Sequence, residues 1–262
     1  MITVTSAQLS SWLALFVFPF VRILAMIASA PILGNKQTPV RLKIGLSILL
    51  TIIIAPTLAV QPSIDPASAI GFLVIIQQLL AGLAIGFTMR LIFTAIEMAG
   101  DIIGIQMGLG FAIFYDPQNA SYTPVIAQFL GILAVLVFLS INGHLIMLEA
   151  LADSFRAFPV NSTLPAAIAL HTLASWGGSI FSNALQLSMP VIGALLISNF
   201  ALGILTRSAP QLNIFAVGFP VTLTIGFASV LLLLPYLFPL LENITHTSLS
   251  TVSRVMHLLG KS

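Results

Sequence analysis

The chain has no cysteine in its 262 residues. That excludes a disulfide framework, a thiolate metal site, an iron–sulfur cluster and a cysteine nucleophile together. Charge is nearly as scarce. Nine Lys+Arg and seven Asp+Glu make up 6% of the residues, against about 25% in an average globular chain. So little charge cannot cover a soluble monomer of this length. The chain either faces lipid or lies inside a larger apolar assembly. An excess of two positive charges is too small to point to nucleic acid. No basic n-region precedes the first hydrophobic stretch, because the first charged side chain is Arg22. A cleaved signal peptide is therefore not expected.

Catalytic signatures are missing as well. His144, His171, His246 and His257 form no HExxH pair or other metal spacing, and there is no Gly-x-Ser-x-Gly elbow. Tyr115-Asp116 and Gly100-Asp101 are similar to the two aspartate motifs of intramembrane aspartyl proteases. Their order and spacing are wrong, and Met98 stands where the second motif needs its first glycine. Neither an enzyme nor a metal or cofactor is expected. His144, in Asn142-Gly143-His144, reads as a proton relay or as a helix-end hydrogen-bonding residue.

What is present is apolar sequence. Hydrophobic residues make up 58% of the chain, and the mean hydropathy is +1.12. Apolar runs cover Trp12–Leu33, Ile44–Val60, Ala69–Ile96, Val125–Leu148, Leu185–Leu205 and Ile214–Leu241, with a shorter one over Ala166–Asn183. They are too long for strands and lack the short alternating segments of a transmembrane barrel. The fold class is all-α, with roughly six to eight kinked hydrophobic helices. Pro19, Pro56, Pro190, Pro220, Pro235 and Pro239 fall inside these runs, where each removes a helix hydrogen bond and bends the axis.

Gly34–Pro39, Gln61–Pro66 and Phe158–Pro165 carry turn chemistry. The last is the best internal boundary, since Ala157–Thr206 contains no Asp, Glu, Lys or Arg. The tail from Glu242 to Ser262 carries Leu249, Val252, Met256 and Leu259 at helical spacing, and reads as a surface helix or a partner-binding end. Lys36, Arg41 and Lys43 place their loop in the cytoplasm. Arg254 and Lys261 then fall outside, so the orientation signal contradicts itself.

Charges inside apolar runs are functional candidates. Arg22 is one. Arg90, Thr94, Glu97 and Asp101 form one stripe if their segment is helical. Glu97 and Asp101 resemble a cation or proton site; the competing reading pairs them with Arg90 and Arg22 within or between subunits. Gly82–Gly86 and Gly100–Gly104–Gly108 recur every four residues and let helix backbones approach closely, in a subunit interface or within the chain. The stretch Gln106, Met107, Gly108, Leu109, Gly110, Phe111, Ala112, Ile113, Phe114, Tyr115, Asp116, Pro117 is Gly-rich and aromatic. It is no phosphate loop, but an apolar loop of this kind can close a pore by dewetting.

Several segments together are similar to one family. They are Leu24–Leu33, Pro39–Leu46, Gly86–Met89, Ile105–Phe111 running to Asp116-Pro117, Asn142-Gly143-His144, and Asn199–Phe215 followed by Gly218-Phe219-Pro220. The chain resembles the FliR/SctT export-gate family of type III secretion, in its flagellar branch, over essentially its whole length. The resemblance implies an export-gate subunit in the bacterial inner membrane at the flagellar basal body. It implies assembly with FliP-like and FliQ-like subunits, docking of an FlhB-like switch protein, and passage of unfolded flagellar proteins. It further implies a FliP-like part over 1–160 with a plug loop at 106–122, and a FliQ-like hairpin and tail over 161–262. The helices would form a conical channel largely above the membrane plane. Arg207, Pro210, Gln211 and Asn213 would lie at the hairpin tip near the cytoplasmic entrance. The alternative is a proton-coupled secondary transporter that uses Arg90, Glu97 and Asp101.

Overall fold

A computed structural model of the chain describes residues 6–58, 64–110, 124–160, 167–209 and 214–260. Among these residues there are eight α-helices and no strand: α1 Ser6–Ser29, α2 Val40–Ile54, α3 Ala69–Gln106, α4 Val125–Ser140, α5 Gly143–Ala157, α6 Ala167–Gly177, α7 Ser179–Ser208 and α8 Ile214–Gly260. The all-α expectation is met. Among the described residues five stretches are long and apolar enough to cross a membrane, or six if the bent pair α4 and α5 counts as one.

Helix ends follow local chemistry. Pro39 stands immediately before α2, where a missing N–H costs nothing. Pro56 ends α2 in a 3-10 turn, Ala55–Thr57, so it stops a helix rather than kinking one. Pro19 lies inside α1, Pro190 inside α7, and Pro220, Pro235 and Pro239 inside α8. The single run expected over Val125–Leu148 is two helices bent by 65°. The break is Asn142, at φ 57° and ψ 30°, a left-handed conformation that Asn tolerates better than most residues. A long-window hydropathy average runs over such a turn, although Asn142-Gly143 is itself a turn dipeptide.

The described chain forms two compact units. One comprises Met1–Leu91, Asn142–Gly177 and Ile244–Ser262; the other comprises Ile92–Ile141 and Gly178–Asn243. In the first, Phe18, Ile23, Met26 and Ile27 of α1 are buried, as are Ile85 and Met89 of α3 and Leu151 of α5. The end of α8 belongs to the same core. Ile244, Ser248, Val252, Val255, Met256 and Leu259 are buried along one face, and a Cβ on Gly260 would meet the Ala157 carbonyl. The tail is thus a surface helix whose inner face belongs to the chain's own core, while Glu242, His246, Thr247, Ser250, Arg254 and His257 stay exposed. Val252, Met256 and Leu259 pack in the chain's own core, and of the expected stripe only Leu249 stays half-exposed.

In the second unit, Ile96 and Ile103 of α3 are buried, as are Leu130 and Phe138 of α4, Val191 and Leu195 of α7, and Leu233 and Leu237 of α8. Phe93 meets Phe138 edge-on, with centroids 5.3 Å apart. Helices α7 and α8 lie alongside one another. Between them lies an open groove of about 730 Å³, lined by residues that include Pro190, Tyr236 and Pro239. Much apolar surface remains uncovered: in the apolar 18-residue window of Ile168–Ser208 only 11% is buried.

Candidate functional site

Helix α3 carries Gly82, Gly86, Gly100 and Gly104 together with the charged stripe. Its small residues let a neighbouring backbone come close. A Cβ on Gly82 would fall on the Arg22 carbonyl oxygen, and one on Gly86 would fall on Ser29 Oγ and within 2.6 Å of the Met26 carbonyl. One on Gly100 would strike Ala127 of α4, whose backbone nitrogen lies 2.7 Å from that point. These three glycines serve packing within the chain, not an interface between chains. Gly104 is also buried, but its nearest neighbour, Ile126, stands 3.8 Å off, an ordinary van der Waals distance.

Arg22 lies beside this seam and is fully buried. Its guanidinium is held by neutral groups. Nε donates to Gln78 Oε1 at 2.8 Å, Nη1 to Ser154 Oγ at 3.2 Å and Nη2 to the Phe158 carbonyl at 2.8 Å. The Phe155 ring lies under Cζ at 4.2 Å to its centroid, and the Phe158 ring at 5.4 Å, where the ring faces attract the cation. The sequence reading gave Arg22 a carboxylate, Glu97 or Asp101. The fold gives it an amide, a hydroxyl, a carbonyl and two aromatic faces instead. Only a planar, forked cation fits such a set. Gln78 was visible as a polar residue in an apolar run, but nothing in the sequence linked Ser154, Phe155 or Phe158 to residue 22.

The stripe along α3 is real as a helical register and differs in exposure. Arg90 and Glu97 are exposed, while Thr94 and Asp101 are half-buried. Glu97 leans along Gly131 of α4, where a Cβ would meet its Cγ at 3.6 Å.

The Gly-rich stretch begins as rigid structure. The Gly108 amide donates to the Ile105 carbonyl at 3.0 Å, and the Leu109 amide to the Gly104 carbonyl at 3.0 Å. Gly108 has φ 84°. This is the Schellman ending of a helix, with glycine at the left-handed position. Met107 is fully buried. It is seated on Gly226 of α8, where a Cβ would lie 2.5 Å from Met107 Cγ and 2.8 Å from Sδ. Met107 is thus a core residue rather than a free plug side chain. Gln106 is exposed; Leu109 and Gly110 are half-exposed. Phe111, Phe114, Tyr115, Asp116 and Pro117 lie outside the described residues, as do Pro210, Gln211 and Asn213 of the hairpin tip. Arg207 is exposed in the last turn of α7. No pattern in the sequence pointed to Gly226.

The sequence profile of the bacterial export proteins, family 1, matches residues 13–248. The chain belongs to that family. Relatives within it span the same length. The flagellar biosynthetic protein FliR of Pectobacterium carotovorum subsp. carotovorum is 43% identical over 262 residues, covering 100% of both chains. The protein of that name from Escherichia coli (strain K12) is 43% identical over 244 residues, 93% of each chain. That of Bacillus subtilis (strain 168) is 30% identical over 250 residues, 94% of this chain and 96% of its own. The resemblance read from the sequence motifs is therefore borne out at the level of the family.

Proposed function

We propose that this chain is a channel-forming core subunit of the flagellar type III export gate in the bacterial inner membrane, at the basal body. In this reading it assembles with FliP-like and FliQ-like subunits, meets an FlhB-like switch protein and passes unfolded flagellar proteins without catalysing a reaction. The observation that carries the reading is the end-to-end match to flagellar relatives, 100% of both chains in one case. The uncovered apolar surface of α7 and α8 supports it: only 28% of the apolar 18-residue window in Ala216–Gly260 is buried, and partner subunits are natural cover for such faces. The division into a FliP-like 1–160 and a FliQ-like 161–262 draws support from the way α7 and α8 line one groove together. The segment 106–122, apart from the core residue Met107, is proposed as the plug of the closed pore, rooted at the Gly108 cap. Arg207 and the 210–213 tip stand near the entrance. Arg90 and Glu97 lie on an exposed helix face rather than in an enclosed midplane site, so the transporter reading gains nothing.

Co-expression tests the proposal. A tagged chain should co-elute with its FliP and FliQ homologues as one species and aggregate when made alone. Vesicles carrying the assembly should hold small solutes, and shortening Gly108–Asn119 should release them. A monodisperse chain that ignores both partners overturns the assembly; unchanged permeability overturns the plug alone.

A further inference from the structure

Helix α2 is built inside out. Its buried positions are Ser47 and Thr51, while Val40, Leu42, Ile48, Leu49, Ile52 and Ile53 are all exposed. The two hydroxyls are satisfied within the helix. Ser47 Oγ donates to the Lys43 carbonyl at 2.7 Å and Thr51 Oγ1 to the Ser47 carbonyl at 2.6 Å. A helix on a water-facing surface has the reverse pattern. Something apolar must cover this face, and three features describe it.

The first is length. The stretch Val40–Thr57 is 18 residues with mean hydropathy 1.7 and only 17% buried. At about 1.5 Å per residue it reaches roughly 27 Å, close to the ~30 Å hydrocarbon layer of a bilayer. The second is relief. Where this chain packs helix on helix it uses notches, at Gly82, Gly86 and Gly100. The outward face of α2 is mostly branched aliphatics, and its one notch, Gly45, has no atom within 4 Å of a built Cβ. Lipid chains need no notch.

The third is charge at one end only. Lys43 is tied back to the Gly34 and Asn35 carbonyls at 3.1 and 3.0 Å. Lys36 and Arg41 are exposed. Arg41 lies in the first turn, where a positive charge opposes the helix dipole, so helix stability does not account for it. No further charge follows Lys43 until Asp65.

We propose that the outward face of α2 is a lipid contact, with acyl chains along Ile48, Leu49, Ile52 and Ile53 and anionic headgroups at Lys36 and Arg41. This goes beyond the export-gate reading and does not depend on which subunits assemble.

The absence of cysteine makes the test clean, because one introduced thiol is a unique labelling site. Nitroxides at Leu49→Cys and Ile53→Cys, in the co-expressed complex in vesicles of phosphatidylcholine and phosphatidylglycerol, should collide freely with oxygen and scarcely with a water-soluble nickel reagent. Protection from both reagents means that protein covers α2; access to nickel means water. Either result overturns the proposal. The double variant Lys36→Gln, Arg41→Gln should lower the phosphatidylglycerol retained over phosphatidylcholine about tenfold, with an unchanged unfolding midpoint. Unaltered lipid selectivity overturns the headgroup half of the proposal.

Discussion

A fully buried arginine without a carboxylate is a demanding residue, because its acceptors were chosen for it alone. Arg22→Met fills a similar volume but leaves Gln78 Oε1 and the Phe158 carbonyl without the donors they have now. We expect a loss of about 2–4 kcal/mol, read as a lowered thermal unfolding midpoint of the purified complex. Arg22→Lys should recover less than half of that loss, since one ammonium cannot reach three acceptors spread around a planar fork. Full recovery by lysine would mean that charge alone matters and the hydrogen-bond set does not. Arg22 itself was legible in the sequence as a costly charge in an apolar run. Its partners were not, because they lie 56 to 136 residues away and are ordinary residues in their own neighbourhoods.

Helices are held together in this chain by missing side chains. The four-residue glycine spacing predicted close approach correctly, and left open whether the neighbour was another subunit. The fold answers for Gly82, Gly86 and Gly100, each pressed on a backbone of its own chain. Gly86→Ala must push α1 away and should cost about 1–3 kcal/mol. Gly45→Ala on α2 meets nothing within 4 Å and should stabilise by about 0.5–1 kcal/mol. Thermal unfolding of the two variants side by side checks the pair, and equal effects would remove the packing argument. Element boundaries were less legible than element type. Apolar runs located the helices, but the runs could not reveal the left-handed Asn142 or that α3 continues through its charged stripe to Gln106. The start of the Gly-rich stretch reads as loop by composition, whereas hydrogen bonding makes it the finish of a helix.

At the scale of the whole molecule, the first compact unit is assembled from three separated segments, the last being Ile244–Ser262. A chain ending at Asn243 loses the buried face from Ile244 to Leu259, although most of the apolar run of α8 remains. We expect this truncation to lower the amount of chain accumulating in membranes severalfold even when partner subunits are co-expressed. A tail that only bound a partner would leave accumulation unchanged, and immunoblotting of membrane fractions distinguishes the two. The sequence read this tail as peripheral because its polarity rises after Leu241. Polarity there marks the outer face of a helix whose inner face is core.

The same three-segment construction has a consequence in time. Arg22 is synthesised 56 residues before Gln78 and 136 before Phe158. An arginine near the centre of a lone membrane helix costs about 2.5–3.5 kcal/mol on insertion scales. Until the ribosome has passed Phe158, α1 carries that cost with Gln78 as the first of its partners and the Ser154 and Phe158 acceptors still missing. The first helix made is therefore provisional, and it is secured only when the end of α5 arrives to close over its charge.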